Sequence, residues 1–377
     1  MRKAFEDELL RVIRRVVTGT ECGEVAEIKV NNELFAFAER HQLEHLVGYL
    51  CFADGDTEQG MPFMTSLSLT TQQASAAIEL SRAFSDEMIP HILLKGTVLR
   101  KLYPEEWMRN GCDVDVLVQP CDLDRAGRVL CRLGYEDQKV VTVHDVGYHR
   151  DPLRIELHYK LIEDYRIPKV AEILENIWTF VHPTEERDPY ALSLPDEVFY
   201  LYQVAHMAKH FGDGGCGIRA LLDLWVLNHR CEYDRDARLR LLCTAGLADF
   251  ECVMLRISEY WFAGGDGEDL EFIERFILDG GAYGASENGR AVQMVRKGRL
   301  GYLCSRLFMP YSELARKYPT LEKHPYLLPV YEVRRWFSAL GRKRGEYVSE
   351  LKDDLRSTEE KKNIDKMLET LGLSELR

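Results

Sequence analysis

Between about residues 90 and 165 the apolar residues of this chain stop recurring at helical spacing and fall into short runs and strict alternation. That change limits the fold more than any other feature, because it confines the sheet to one segment of a largely helical chain. Before it, Phe5, Leu9, Leu10, Ile13 and Val16 follow a helical period, as do Leu34, Phe37, Ala38, His41 and Leu46. The stretch from Ala53-Asp54-Gly55-Asp56 through Gly60-Met61-Pro62 reads as a loop, and a long helix is predicted from Ser66 to Met88, ending before Pro90. Within the segment, His91-Ile92-Leu93-Leu94 reads as a strand and Thr97 to Tyr103 as a short helix stopped by Pro104. Val114 to Val118 is a second strand, and Asp122 to Leu133 a helix with Gly134 at its C-cap. Lys139–His149 and Leu153–Leu161 alternate like two strands joined at Arg150-Asp151-Pro152. After Pro195 the signals are helical, with Val198–His210, Ile218–Asn228, Asp236–Leu242 and Ala248–Phe262 as examples. Ser357-Thr358-Glu359-Glu360 forms a capping-box pattern. The predicted class is α+β: a small mixed-sheet core at 76–185, flanked by an N-terminal helical region at 1–75 and a larger helical one at 186–377.

Composition narrows the partners. The 377 residues carry a formal charge of -13, which argues against a protein that grips long nucleic acid through clustered Lys and Arg. A nucleotide in a local basic groove stays compatible with that balance. The ten cysteines form no Cys-x-x-Cys pair, so a structural zinc site is not supported. Met1 to Glu8 has no apolar core of signal-peptide length, and no apolar stretch approaches the roughly 20 residues of a membrane helix. A cytoplasmic protein with no membrane partner is expected.

The chemistry concentrates at Asp113-Val114-Asp115. Alternate strand residues share a face, which puts the two carboxylates on one side, roughly 7 Å apart. Like charges so placed raise one pKa unless a cation lies between them. A divalent ion gives the pair a purpose in phosphoryl chemistry. The third acid such a site requires is Glu156. In the run Arg154 to Leu161, Ile155, Leu157, Tyr159 and Leu161 form one face, and Arg154, Glu156, His158 and Lys160 the other. Glu156 can join the metal site and draw a proton from an incoming hydroxyl, with His158 beside it. Upstream, Lys95-Gly96-Thr97 follows the first strand at a helix start, a natural phosphate site: Gly96 allows close approach, Thr97 offers a hydroxyl, and Lys95 and Arg109 offer charge.

These pieces together resemble the DNA polymerase beta-like nucleotidyltransferase superfamily. Within it they look like the bacterial family catalogued as uncharacterised nucleotidyltransferases. The resemblance rests on Leu94-Lys95-Gly96, Tyr103-Pro104, Arg109, Asp113 to Val118, Gly134-Tyr135 and Ile155-Glu156-Leu157-His158. Helical pieces extend it: Ala38-Glu39-Arg40-His41, His206-Met207-Ala208-Lys209-His210, Leu221-Leu222-Asp223-Leu224, Leu307-Phe308-Met309-Pro310 and Arg334-Arg335. Thr97 departs from the superfamily's usual Gly or Ser. The resemblance implies Mg²⁺ (or Mn²⁺) held by Asp113, Asp115 and Glu156. It also implies a nucleoside triphosphate such as ATP, bound by Lys95, Gly96, Thr97, Arg109 and His158. A nucleoside monophosphate would pass to a small-molecule or protein acceptor that the resemblance does not specify. His206 and Lys209, within one turn of each other, are expected to join the site.

Other motifs carry less. Gly212-Asp213-Gly214-Gly215-Cys216-Gly217 satisfies Gly-x-Gly-x-x-Gly, but a helix precedes it where the dinucleotide fingerprint needs a strand. It reads as a flexible interhelical loop able to close over nucleotide. Arg219 and Asp223 are spaced for an intrahelical ion pair. Arg334-Arg335-Trp336 and Arg342-Lys343-Arg344 read as solvated helix ends. Two rival functions remain, a non-catalytic nucleotide-binding or scaffold protein and an antitoxin-like nucleotidyltransferase that modifies proteins.

Overall fold

The computed structural model describes residues 3–20, 27–141, 144–162, 167–264, 270–309, 311, 314–315, 318, 320–342 and 358–374. Pro310, Lys343, Arg344 and Ser357, each part of a motif above, lie outside the described residues. Helices α1 (Ala4–Ile13), α2 (Asn32–Arg40), α3 (Glu44–Ala53) and α4 (Met61–Asp86) come first. The long helix α4 begins earlier than predicted, because Pro62 sits in its first turn, where a missing N–H has no consequence. Then follow β1 (His91–Leu93), α5 (Lys95–Leu99), β2 (Val114–Val118), α6 (Leu123–Arg132), β3 (Glu136–Val141), β4 (Asp145–Arg150) and β5 (Leu153–His158). After α7 (Pro168–Glu175) the hairpin β6 (His182–Glu185) and β7 (Asp188–Ser193) completes the sheet. The rest is helical: α8 (Asp196–Gly212), α9 (Gly217–Arg230), α10 (Arg235–Ala245), α11 (Ala248–Ala263), α12 (Glu271–Gly280), α13 (Ser286–Leu307), α14 (Thr320–Lys323), α15 (Leu328–Arg342) and α16 (Thr358–Thr370).

The seven strands run in the order β3-β4-β5-β2-β1-β7-β6. β2 pairs parallel with β5 and β1 parallel with β7, and every other pairing is antiparallel, so the sheet is mixed as expected. Two details differ from the periodicity. The alternating stretch taken as one strand at Lys139–His149 is two, β3 and β4. The hairpin β6–β7 carries no alternation signal: β6 is exposed throughout and Pro183 and Pro189 interrupt the pattern, as an edge permits.

Parity on the two central strands positions the site. Val114, Val116, Val118, Ile155 and Leu157 bury one sheet face against Ala76, Leu80 and Phe84 of α4 and Val129 and Leu130 of α6. Each fully buried Val or Leu contributes roughly 1.5–3 kcal/mol. Asp115 and Glu156 consequently face the other way, where α8 and α9 cover the sheet. That second side belongs to a separate core, shared by α1–α3, α8–α12 and α16. Leu161, expected on the same face as Ile155, joins this second core, because β5 ends at His158 and the chain turns. Among the described residues no helix is long and apolar enough to cross a membrane.

The glycine-rich stretch between α8 and α9 is a packed seam rather than a flexible loop. Gly214 (φ +128°) carries a carbonyl that accepts from the Ala285 N–H at 3.1 Å, and a Cβ on Gly289 would lie 2.3 Å from the Asp213 carbonyl. Such a contact cannot be relieved by a side-chain rotation. Gly289→Ala should therefore cost about 2 kcal/mol or more in urea denaturation. Gly264→Ala, at φ +78° with nothing within 4 Å, should lose only about 1 kcal/mol. Equal losses would show that the seam is not close-packed.

Candidate active site

Strand register builds the site. In the parallel pair β2–β5, Asp115 lies directly opposite Glu156. The antiparallel pair β1–β2 is extended by a bond from the Leu94 N–H to the Asp115 carbonyl at 2.9 Å, which delivers Lys95 alongside Asp115. Lys95 adopts φ +38°, a left-handed conformation that costs a side-chain-bearing residue on the order of 1–2 kcal/mol. The turn is pinned from behind by buried Arg100, whose Nε donates to the Gly96 carbonyl at 3.1 Å and whose Nη2 donates to Gln73 Oε1 at 2.7 Å.

The Lys95 ammonium donates to Asp115 Oδ1 at 2.8 Å and stands 3.9 Å from Glu156. His158 Nε2 reaches the same Asp115 oxygen at 2.8 Å and lies 3.4 Å from Glu156. Asp115 is only 2% exposed, so it is not the solvated edge acid that an isolated Asp-Val-Asp usually is. Burial alone would push its carboxyl up, but Lys95 and His158 outweigh that and hold it well below the usual carboxylate range. Burial likewise opposes charge on Lys95, yet Asp115 and Glu156 raise its pKa. His158 is raised too, its carboxylate bonds overcoming both burial and the Lys95 charge.

Asp113, half-buried just before β2, makes no such ion pair among the described residues, though the Lys95 and Arg109 charges act on it from a distance. Burial and the charges of Asp115 and Glu156 push it up to about 6 from an ordinary 3.8. Among the described residues, donor atoms of Asp115, Glu156 and His158 lie within 4.8 Å of one another. Asp113 stands beside that group. Oxygen donors of this kind suit a hard divalent cation, and the raised Asp113 marks a surplus of negative charge that such an ion would relieve. The residues fit the group.

The acids open into a cleft of about 520 Å³, which Lys95, Gly96, Arg109, His206 and Lys209 also line. Thr97 does not line it: its hydroxyl is buried and meets no hydrogen-bond partner. Arg109 is committed elsewhere. Its Nε and Nη2 form a two-pronged pair with Asp223 at 2.8 and 3.0 Å, and Tyr103 Oη donates to the same carboxylate at 2.7 Å. The remaining Nη1 lies 2.8 Å from where a Cβ on Gly96 would be, so any larger residue at 96 would have to push aside an Arg109 already held by Asp223. The expected Arg219–Asp223 pair is thus replaced by Arg109–Asp223. Arg219 instead donates to the Asn110 carbonyl at 3.3 Å and faces the cleft, with no carboxylate within ion-pair distance among the described residues. Sequence spacing could not reveal this, since the i, i+4 pair was the nearer alternative. On α8, His206 meets His210 at 3.3 Å, and burial together with the Lys95 charge keeps it neutral.

Two outcomes test this electrostatics. Because folded Asp113 holds its proton up to about pH 6 and the unfolded chain releases it near 3.8, Asp113 lowers stability as pH rises through that window. Asp113→Asn should stabilise the metal-free protein by about 1–2 kcal/mol at pH 8, and close to nothing at pH 4. An unchanged difference across that range in thermal unfolding would contradict the repulsion. For the Arg109–Asp223 pair, Asp223→Ala should cost about 3–5 kcal/mol by stranding a buried guanidinium, whereas Arg109→Met/Asp223→Leu together should cost much less. Equal losses in urea denaturation would show that the guanidinium is not stranded.

No curated protein and no solved structure matches this chain. The model of one family, described as uncharacterised nucleotidyltransferase, matches residues 32–263. That match takes in the β1–β2 turn, the Asp-Val-Asp strand, Glu156 and the α8–α9 wall of the cleft, and it covers more than half of the sequence. The chain accordingly belongs to the uncharacterised nucleotidyltransferase family, and is a transferase enzyme.

Proposed function

We propose that the protein is a Mg²⁺-dependent nucleotidyltransferase that transfers a nucleoside monophosphate from a nucleoside triphosphate to an acceptor hydroxyl or phosphate, releasing pyrophosphate. The observation that carries this reading is the opposition of Asp115 and Glu156 across β2 and β5 on the cleft wall, with Asp113 beside them at a raised pKa. Asp113, Asp115 and Glu156 would hold Mg²⁺, which when bound would neutralise the triphosphate charge and polarise the reacting phosphate. The acceptor oxygen forms its bond to the α-phosphorus as the bond to the pyrophosphate oxygen breaks, and Glu156 takes the acceptor's proton. Neutral His206, Lys209 and Arg219 face the triphosphate from the helical wall, and Gly96 admits it close to the β1–α5 turn. Lys95 transfers from Asp115 to phosphate as the nucleotide arrives. Arg109 is a positioning residue that fixes Asp223 and the Gly96 turn. A cleft of about 520 Å³ suits a nucleotide and a small acceptor, or one protruding side chain of a protein.

One observation favours a second reading, nucleotide binding without turnover: an ammonium already neutralises Asp115. Calorimetry with each triphosphate and Mg²⁺, on wild type and Asp113→Ala/Asp115→Ala, separates these ideas. The expected result is micromolar binding that the double variant weakens at least 10-fold. Unchanged binding in that variant sinks the proposed metal–nucleotide site. Binding without pyrophosphate release across a panel of acceptors supports the second reading.

A further inference from the structure

We propose a second cation site in the same cleft, made by His144, Asp145 and His158, that takes a transition-metal ion rather than Mg²⁺. Asp145 opens β4 and lies directly across from His158 on β5, on the sheet face that also carries Glu156. His144 is fixed against the end of β5 because its carbonyl accepts the Tyr159 N–H at 2.9 Å. One donor atom from each of the three side chains falls within 4.8 Å of the other two. His144 Nε2 stands 3.0 Å from Asp145 Oδ2, and the His144 and His158 rings are 5.5 Å apart.

A histidine–aspartate pair on a strand is by itself an ordinary hydrogen bond. The independent observation is His158, which is 0% exposed and has its Nε2 occupied by Asp115. Its Nδ1 is buried and, among the described residues, meets no hydrogen-bond partner. With Nε2–H donating to Asp115, Nδ1 carries the lone pair in the neutral ring, and an ion bound there takes the place of the proton that would otherwise charge His158. His144 and Asp145 both line the cleft, so an ion has a route in from water.

The donor set gives the ligand class. Two imidazoles and a carboxylate with open positions favour Zn²⁺, Mn²⁺, Co²⁺ or Fe²⁺, whereas Mg²⁺ prefers oxygen ligands. The set differs from Asp113, Asp115 and Glu156 in hardness, and His158 alone is common to the two neighbourhoods. An ion there would turn Asp115–His158 into a carboxylate–histidine–metal relay, fixing the imidazole's tautomer and with it the orientation of Asp115. The relay's consequence for transfer rests on the proposed function; the ion site does not.

The test uses the full chain, free of any affinity tag and stripped of metal, titrated with Co²⁺ in excess Mg²⁺ while the visible ligand-field absorption is followed. The expected result is one equivalent bound with nitrogen–oxygen ligand absorption. His144→Ala, at a half-buried position, should weaken it at least 10-fold, and Asp145→Asn should do likewise with retained circular dichroism. Equal Co²⁺ binding in wild type and both variants, or full displacement of Co²⁺ by Mg²⁺, would overturn the second site. Mg²⁺–triphosphate calorimetry reports the carboxylate site separately: its failure with Co²⁺ binding intact removes the proposed function and leaves this site standing.

Discussion

Everything at the site depends on keeping Asp115 ionised in the middle of a sheet. An isolated buried carboxylate would take up a proton rather than bear the desolvation penalty. Here Lys95 and His158 meet the same oxygen from two sides, each at 2.8 Å. Holding Lys95 there forces a left-handed backbone at residue 95 and a buried Arg100 behind it. Strain of that order persists only where surrounding structure over-determines it. Replacing a buried ion pair by packed apolar residues is often neutral or stabilising, so Asp115 and Lys95 are not explained by folding stability alone.

A second buried pair ties this sheet to the helical region. Arg109 leads into β2 and Asp223 lies on α9, and their two-pronged bond, reinforced by Tyr103, joins the strand that carries the acids to the helix that walls the cleft. The bond also decides which cations remain for a ligand. With Asp223 bound to Arg109, Arg219 faces the cleft one turn away on α9. The wall and the floor of the site are thus held in register by one ion pair rather than by apolar packing alone.

How much of this was legible in the sequence follows from the range of each interaction. The facing of Asp115 and Glu156 was readable because strand parity is local and strict. The Asp115–Glu156 register was not, since it depends on a parallel pairing between strands some forty residues apart. Lys95 was recognised as a site residue, but its present partner is a carboxylate, because β1–β2 pairing delivers it there. The Arg109–Asp223 pair is hidden for a similar reason: spacing sees the i, i+4 neighbour on a helix and cannot see a guanidinium arriving from another segment. Thr97 was read as a hydroxyl at a helix start, yet the short α5 turns that side chain inward. At 212–217 composition records the freedom of glycine and not the backbone that packs against it.

The Lys95 ammonium also bears on how a divalent ion and a nucleotide would bind. Ammonium and divalent ion compete for Asp115, so a free ion entering the site loses part of its Coulomb gain by displacing a cation that is already well placed. A triphosphate changes the balance, because its oxygens give Lys95 an equally good partner within reach of the cleft. Under the proposed reading the ion and the nucleotide each relieve what opposes the other, and each binds more tightly when the other is present. A surplus of acid at Asp113 alongside a resident lysine at Asp115 is the charge pattern such coupling requires.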